Sequence, residues 1–412
     1  MKSLNIWLIS AAVAGATYLV TGLAVLIGRA LYDRKQAIVD RLSHILSAPS
    51  GSAPVTPQQR AHADKYLASL PLHRIKRVFA DTILTAQVNV VICRHLVDRI
   101  GVERLRKEAM SREKSHNPWP RISALQILAF GRTEAAWTPL EKALIAPDPH
   151  IVGAAVTILG NLPDARAAEL LAQALRVGCY SASRISTFLD DFPLDLSSLV
   201  GSLLSHPSPN VRYWGAILLR RYPGFEGGDK VLASLTHDKN PLVRRAAIES
   251  LALVGGNLAA GEACRLLSDE VSFVRAYAAR ALGTLLLVEE APSVASLLAD
   301  REWWVRYAAK ASLEAMGSQA IPHILPFLKH PDRFARNGAA EVLQNLEYFE
   351  QLLAEELLGP SQPDRLAILE QLARAGGLRM SEAMIHRLPL EAQPNAFALL
   401  SSLGIVSNGS KL

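Results

Sequence analysis

Cysteine and aromatic side chains are scarce in this 412-residue chain, and each shortage narrows what the protein can be. Three cysteines, Cys93, Cys179 and Cys264, stand far apart and form no CxxC pair. A disulfide framework or a zinc module is therefore not expected, and reduced thiols are typical of a cytosolic setting. Aromatic residues make up 6% of the chain, while aliphatic side chains and alanine dominate. This composition predicts an all-helical protein.

Catalytic and metal-binding signatures are also missing from the sequence. It contains no GxSxG, P-loop, HExxH or glycine-rich dinucleotide motif. His206, His237 and His330 occupy equivalent turns between helices, but two neighbouring histidines do not make a zinc site. Asp190 and Asp191 are adjacent, so they do not form a two-sided acid and base pair. We therefore predict no catalytic residue, no metal and no cofactor, and a protein that is not an enzyme.

A recurring phrase of an acidic residue, Val-Arg, small residues and Leu is the chain's strongest signal. Its clear copies place arginines at intervals of 31 residues, at Arg244, Arg275 and Arg306. An interval of this size is typical of stacked-repeat proteins, whose units bury their apolar faces only against neighbours. Weaker copies extend the pattern to about ten units between Asn117 and Leu403, each with two short helices. Such a chain favours an extended binding surface over a single catalytic cleft.

The phrase D-x-x-x-x-V-R-x-x-A-A-x-x-x-L-x-x-x-G resembles HEAT repeats, particularly the short HEAT-like class first noted in phycobilin lyases. The resemblance implies an α-solenoid of helical hairpins that acts as a scaffold. It does not imply lyase chemistry, because a fold does not determine a function. It also implies a polar ladder of Asp and Arg six positions apart along the stack. Carried over by position, the ladder pairs are Asp238/Arg244, Asp269/Arg275 and Asp300/Arg306. The ladder lapses where His206 and His330 hold the aspartate position.

Helical periodicity gives the Val-Arg helix of each unit an inner and an outward face. In the central unit, the inner positions are Val243, Ala247, Ser250 and Leu251. Outward positions should be polar if they only meet solvent, yet across the repeats they carry aromatic rings and an arginine. The predicted partner-binding residues are Tyr213, Arg245, Phe273, Trp303, Trp304, Tyr307 and Phe334. Such a surface is typical of a protein-binding hot spot, and packing between adjacent repeats is the alternative interpretation.

An uncharged run from Leu4 to Ile27 predicts one N-terminal transmembrane helix. As a helix, this run is about 36 Å long, which is enough to cross a bilayer. A cleaved signal peptide is the alternative, but the run stays apolar beyond its small-residue sites. The cations Arg29, Arg34 and Lys35 follow the run and place the repeats in the cytoplasm by the positive-inside rule. We therefore predict a single-pass protein of the bacterial inner membrane.

The net charge of +6 is unevenly placed along the chain. The window from Leu72 to Arg121 holds 11 Lys and Arg residues against 5 Asp and Glu residues. This window is a solvated helix surface, a collar facing anionic lipid, or a nucleic-acid site. The predicted lipid-facing residues are Arg29, Arg34, Lys35, Arg74, Lys76 and Arg77. Nucleic acid is not favoured as a partner, because the basic excess precedes the clear repeats.

These patterns together predict four segments and a function. The segments are an anchor (1–28), a juxtamembrane helix with a tether at Ser47–Gln59 (29–60), a basic helical region (61–116) and the repeats (117–412). We predict a scaffold that docks a partner protein, or that braces a membrane-bound synthase or transporter. The alternatives are a nucleic-acid-binding HEAT-like protein and a lyase-associated enzyme component.

Overall fold

The computed structural model of the chain describes residues 36–45, 56–81, 86–111, 117–254, 257–376, 385–386 and 390–402, with single positions between 21 and 33. Each regular element within these ranges is a helix, as the composition predicts. The chain divides into two compact units, and the boundary falls between residues 188 and 195.

The first unit consists of short helices that pack on their neighbours along the chain. They are α1 (Pro57–Ala68), α2 (Leu72–Asp81), α3 (Ala86–Ile100), α4 (Val102–Ala109), α5 (Trp119–Phe130), α6 (Trp137–Leu144), α7 (Pro149–Gly160), α8 (Ala165–Val177) and α9 (Ala182–Asp190), the last of which reaches the boundary. Helix α3 packs on α1, α2 and α5, and α7 packs on α5, α6 and α8. Leu96, Leu105 and Leu125 are among the fully buried side chains of this unit.

Helix α1 begins inside the predicted tether. The Gln59 N–H donates to the Thr56 hydroxyl oxygen at 3.3 Å, and the Thr56 N–H donates to the Gln59 side-chain oxygen at 2.9 Å. This reciprocal pair is a capping box, and Pro57 supplies a first helical residue that needs no N–H partner. The last three residues of the predicted tether are therefore helical, and 47–55 lie outside the described residues.

The second unit alternates longer and shorter helices. They are α10 (Ser197–Leu203), α11 (Pro209–Leu219), α12 (Gly228–Leu235), α13 (Pro241–Val254), α14 (Asn257–Leu266), α15 (Ser272–Thr284), α16 (Ala291–Ser296), α17 (Trp303–Met316), α18 (Ile321–Ile324), α19 (Arg333–Asn345), α20 (Tyr348–Leu358), α21 (Pro363–Gly376) and α22 (Gln393–Ser402). Helices α11, α13, α15, α17, α19 and α21 pack in succession as one layer. In the other layer, α12 packs on α14 and α16 packs on α18. The predicted all-helical stack of hairpins is confirmed here.

The inner face predicted for the central repeat is also confirmed. Val243, Ala247, Ser250 and Leu251 of α13 are fully buried. They recur at the three- and four-residue spacing that brings side chains onto one side of a helix. The small side chains in these columns let the helices of neighbouring repeats approach closely.

A close approach of this kind lies between α15 and α17. A Cβ atom on Gly283 would lie 2.8 Å from the Cα atom of Ser312, so only glycine fits there without a shift of the backbone. The Ser312 hydroxyl lies 2.8 Å from the carbonyl oxygens of both Ala279 and Ala308, and it therefore links the two helices. These contacts fix the second half of α17 relative to α15.

The predicted single-pass membrane protein is wrong by this structure. A bilayer span needs roughly 20 consecutive apolar residues in one helix. Within the part of the chain that the structure describes, no helix has that length and apolar character. Most of the predicted anchor, Leu4–Ile27, lies outside the described residues, as do Arg34 and Lys35. The anchor was the reason for placing the repeats on the cytoplasmic side of a membrane. It was also the reason for the lipid-facing role of the basic residues, and neither prediction keeps that support.

Candidate functional site

A row of arginines lies near the starts of the long helices of the second unit, and three of these arginines each join two successive turns. Arg244 is the best example. Its Nη1 donates to the carbonyl oxygens of Asp238 and Lys239 in its own turn, at 3.0 and 3.3 Å. Its Nε and Nη2 donate to the two carboxylate oxygens of Asp269 in the following turn, both at 2.8 Å. This forked contact is the geometry in which guanidinium and carboxylate bind most strongly.

The neighbouring repeats make the same forked contact. Arg275 Nε and Nη2 donate to the Asp300 carboxylate at 2.8 and 3.0 Å. Arg212 Nε and Nη2 donate to the Asp238 carboxylate at 2.7 and 2.9 Å. We call each forked contact a rung, so three consecutive rungs run from the repeat of Arg212 to the turn of Asp300. Every rung joins an arginine to the aspartate of the next repeat.

The predicted pairing of ladder residues six positions apart is therefore wrong. In the predicted pairs Asp238/Arg244, Asp269/Arg275 and Asp300/Arg306, the arginine contacts the backbone carbonyl oxygen of its aspartate. The physical reason is that each aspartate side chain caps its own turn. Its Oδ1 accepts the N–H of the second residue after it, at 2.8 to 2.9 Å. In this pose the carboxylate binds the arginine of the preceding repeat.

The rungs are largely shielded from solvent. The side chains of Arg244 and Asp269 are 9% and 7% exposed. The hydrogen bond to Asp269 raises the pKa of the Arg244 guanidinium above its ordinary value, although burial opposes that change. Burial alone would raise the pKa of Asp300, but the hydrogen bonds from Arg275 and from the Glu302 N–H lower it overall. The hydrogen bond to Asp300 likewise raises the pKa of Arg275, so the Arg275 and Asp300 pair stays charged at neutral pH.

The row of rungs stops at Arg306. Its Nη1 binds the carbonyl oxygens of Asp300 and Arg301 at 2.8 and 3.1 Å, as the earlier arginines bind their own turns. The following turn carries His330 in the aspartate position, and among the described residues no acceptor hydrogen-bonds the Nε or Nη2 of Arg306. The imidazole keeps only the capping role, since its Nδ1 accepts the Asp332 N–H at 3.1 Å.

Four exposed aromatic side chains surround this interruption. Trp303 is 64%, Tyr307 61%, Phe334 46% and Trp304 39% exposed, and we call them the aromatic patch. The two tryptophan rings meet edge to face, with centroids 5.8 Å apart. Trp303 and Tyr307 are four residues apart on α17 and so share one side of the helix. The Arg306 Cζ lies 4.6 Å from the centroid of the Phe334 ring, which connects the two helices.

The other predicted partner-binding residues are half-buried. The Arg245 Cζ lies 4.1 Å from the centroid of the Tyr277 ring in the following repeat, so Arg245 takes part in packing between repeats. Tyr213 meets Trp214 edge to face, with centroids 5.0 Å apart. Phe273 is also only partly exposed. The partner-binding role of all seven residues stays a prediction, and the alternative of inter-repeat packing describes Arg245 best.

The remaining candidates for chemistry do not converge on one place. In the described ranges, no group of three or more His, Cys, Asp and Glu side chains is placed to hold a metal ion. The His237 Nε2 lies 3.2 Å from a carboxylate oxygen of Glu262. Burial raises the pKa of the Cys93 thiol, and burial together with the Glu290 carboxylate raises the pKa of Cys264 to about 12. Neither thiol has the low pKa of a cysteine nucleophile.

Sequence reasoning missed the forward direction of the ladder, although one signal was available. Arg212 has a histidine six positions earlier, yet an aspartate 26 positions later accepts its guanidinium. The corresponding distance along the chain from arginine to aspartate is 25 positions for both Arg244 and Arg275. Tyr277, whose ring lies against Arg245, was missed because it is one residue away from the positions that helical spacing assigns to the outward face.

Comparison with known families supports the repeat assignment. A family model of HEAT repeats matches residues 196–283 and 264–344. This stretch contains the three rungs and the aromatic patch, so both lie in the part of the second unit that is similar to HEAT repeats. Such a solenoid is compatible with a protein-interaction scaffold.

A curated relative and two solved structures show more limited likeness. The 26S proteasome non-ATPase regulatory subunit 1 of Drosophila melanogaster is 34% identical over 137 residues, which cover 30% of this chain and 13% of that protein. The complex of CpcE and CpcF of phycocyanin lyase from Nostoc is 23% identical, with a TM-score of 0.32 over 52% of this chain and 96% of that chain. Kap121p is 11% identical, with a TM-score of 0.45 over 92% of this chain and 52% of that chain. This chain therefore spans only a small part of the proteasome subunit, and TM-scores below 0.5 do not establish a shared fold.

Proposed function

We propose that this protein is a protein-interaction scaffold and that the aromatic patch is its principal docking face. The observation that carries the proposal is the exposure of four aromatic side chains on two successive repeats. Single exposed apolar side chains are common, but a contiguous group of them is typical of a surface that binds a partner. Tryptophan and tyrosine are the side chains on which binding energy concentrates when a partner buries them.

The support beneath the patch favours the same role. The opposite side of α17 is buried in the core through Val305, Ala308 and Ala309. The Ser312 hydroxyl hydrogen-bonds that helix to α15. Arg306 fixes the first turn of α17 to the carbonyl oxygens that precede it. A rigid platform loses little conformational entropy when a partner binds, and the rings are therefore presented at low cost.

The partner is proposed to be another protein. The proteasome subunit that resembles part of this chain is, by its name, one component of a larger assembly. The predicted residues Tyr213, Arg245 and Phe273 would lie at the margin of the interface, because they are only partly exposed.

The decisive experiment removes the two most exposed rings of α17. We expect Trp303→Ala with Tyr307→Ala to reduce partner capture at least tenfold, since hot-spot residues cost about 2 kcal/mol or more each when truncated. Capture is measured by quantitative crosslinking of the purified full chain with proteins of its source cells. Circular dichroism and the melting temperature should stay near those of the unchanged protein.

Trp119→Ala is the matched control, because Trp119 is 68% exposed but lies in the first unit. It should leave capture of the same partner unchanged. If the double variant unfolds instead, the rings pack between repeats. If it folds and captures the same partner as before, the docking face lies elsewhere.

A further inference from the structure

The open rung at Arg306 has the same cationic half as the three closed rungs. In each case the Nη1 atom donates to the carbonyl oxygens six and five positions earlier. For Arg306 these distances are 2.8 and 3.1 Å, and for Arg275 they are 2.8 and 3.4 Å. The anchoring contact that orients the guanidinium is therefore complete at the open rung. Its missing half is a carboxylate.

Neighbouring groups do not supply that carboxylate. His330 replaces the aspartate, and its Nδ1 is occupied by the Asp332 N–H. Asp332 itself caps α19, where its Oδ1 accepts the N–H groups of Phe334 and Ala335 at 2.6 and 3.2 Å. The Phe334 N–H chiefly lowers the pKa of Asp332, and the charge of Arg306 contributes further to this change. Asp332 thus interacts with Arg306 at a distance and does not hydrogen-bond it.

The Phe334 ring does not replace the missing acceptor either. A cation above an aromatic face is attracted by the π electrons, which do not saturate the in-plane N–H groups of a guanidinium. The Nε and Nη2 of Arg306 therefore keep donors for an external anion. A second cation, Arg333, lies 4.7 Å from the same ring and adds positive charge beside the opening.

We propose that the open rung binds an aspartate or glutamate side chain of the partner protein, while an apolar side chain next to it packs on the aromatic patch. The proposal rests on the proposed function and adds the chemical class of the partner segment. A carboxylate is chosen because three rungs of the same chain hold carboxylates with the same fork. The rings would supply buried area, and the rung would set the register of the segment.

The first test asks which peptides the full chain selects. A phage-displayed library of random twelve-residue peptides is panned against the purified protein, and enriched peptides are synthesised with a fluorescent label. We expect enriched sequences to carry Asp or Glu close to an aromatic or aliphatic residue. Enrichment of apolar residues with no acidic preference overturns the open-rung proposal and leaves the proposed function standing.

The second test measures the affinity of an enriched acidic peptide by fluorescence anisotropy. Arg306→Ala should weaken binding about tenfold to a hundredfold, as expected for a lost hydrogen bond to a charged group. The peptide with Glu→Gln or Asp→Asn should lose a similar factor on the unchanged protein, and combining both changes should add little further loss. Arg336 binds its own turn in the same way at 2.7 and 2.8 Å, and among the described residues no carboxylate binds its Nε or Nη2 either, but it lies one repeat beyond Arg306. Arg336→Ala is therefore the matched control and should leave the peptide affinity unchanged. Independent, additive losses overturn the proposal.

The third test supplies the missing carboxylate from this chain itself. His330→Asp places a carboxylate where the closed rungs have one, so it should raise the melting temperature and weaken the acidic peptide about tenfold or more. A variant that is stabilised but binds the acidic peptide as before overturns the proposal. Competition by millimolar inorganic phosphate that equals the effect of a carboxylate peptide shows a general anion site, and this outcome also overturns it. The Trp303→Ala and Tyr307→Ala double variant removes the rings and keeps Arg306, so it tests the proposed function alone. Loss of all peptide binding in this variant supports the aromatic patch as the docking face.

Discussion

The closed rungs and the open rung differ at the aspartate position of the following turn, and the residue there decides what the arginine binds. Arg275 and Arg306 occupy the same helical position and contact their own turns alike. Asp300 binds the forward side of Arg275 and shields it, whereas His330 leaves the forward side of Arg306 without a carboxylate. The same Val-Arg pair therefore produces a structural link in one repeat and an available cation in the next.

The joints between repeats differ in a similar way. Helices α15 and α17 meet through Gly283 and the backbone beside Ser312, with almost no space between them. Helices α17 and α19 are joined by longer polar side chains, with Lys310 Nζ 2.5 Å from a Glu341 carboxylate oxygen. The looser joint is the one beside the aromatic patch. Backbone contact thus holds one side of α17, and the ion pair of Lys310 with Glu341 links the other side to α19.

The largest expected effect contrasts a closed rung with the open one. Arg275→Ala should lower the free energy of unfolding by about 3 kcal/mol, because it leaves the buried Asp300 carboxylate without its counter-ion. Arg306→Ala should cost less than about 1 kcal/mol, because no carboxylate depends on it. Urea unfolding followed by circular dichroism measures both values. Equal costs would show that the forward carboxylate contributes little to stability.

Asp269 offers a second way to test the corrected pairing. Asp269→Ala should cost about 3 kcal/mol, since Arg244 loses its carboxylate while Arg275 keeps its own at Asp300. Glu270→Ala is the control, because Glu270 is 83% exposed although it lies 3.6 Å from the same guanidinium. A double-mutant cycle of Asp269 with Arg244 should show coupling, and a cycle with Arg275 should show little. The opposite result would restore the pairing of residues six positions apart.

A smaller effect should separate the two joints. Gly283→Ala should destabilise the protein by about 2 kcal/mol, because the added methyl group meets the Ser312 backbone. Gly338→Ala in α19 should stabilise it by about 0.5 to 1 kcal/mol, because the nearest atom is 3.4 Å away and alanine favours a helix. Thermal unfolding of the two variants measures the contrast. A shift of the same sign in both would mean that the joints are equally tight.

The smallest expected effect is a dependence on pH that belongs to the closed rungs. In Asp238 and Asp300, burial favours the neutral acid, but hydrogen bonds from Arg212 and Arg275 lower the pKa overall. A lowered pKa in the folded state stabilises the protein above the unfolded aspartate pKa of about 3.9, and this contribution disappears as the pH falls through the folded value. Melting temperatures between pH 7 and pH 3 should therefore drop more for the unchanged protein than for Arg275→Ala. Parallel curves would contradict this.

The exposed rings show how well helical spacing in the sequence predicts which side chains are exposed. Trp303 and Tyr307 were assigned to outward positions by helical spacing, and both are well exposed. Arg245 was assigned to the same column as Tyr307, yet it packs on Tyr277 of the following repeat. The column determines the direction in which a side chain leaves its helix. Whether a neighbouring repeat covers it depends on the side chains of that neighbour.

The sequence by itself determined the helical repeats, their interval and the inner face of α13, because the spacing of apolar side chains along one helix is a local property. The tertiary structure alone decided which carboxylate each arginine binds. Arg244 has one aspartate six positions earlier and another 25 positions later, and both fit the sequence. Stacking brings the later carboxylate to 2.8 Å, while capping of the turn directs the earlier one away. The gap at Arg306 follows from the same cause, since an open rung exists only where two repeats meet.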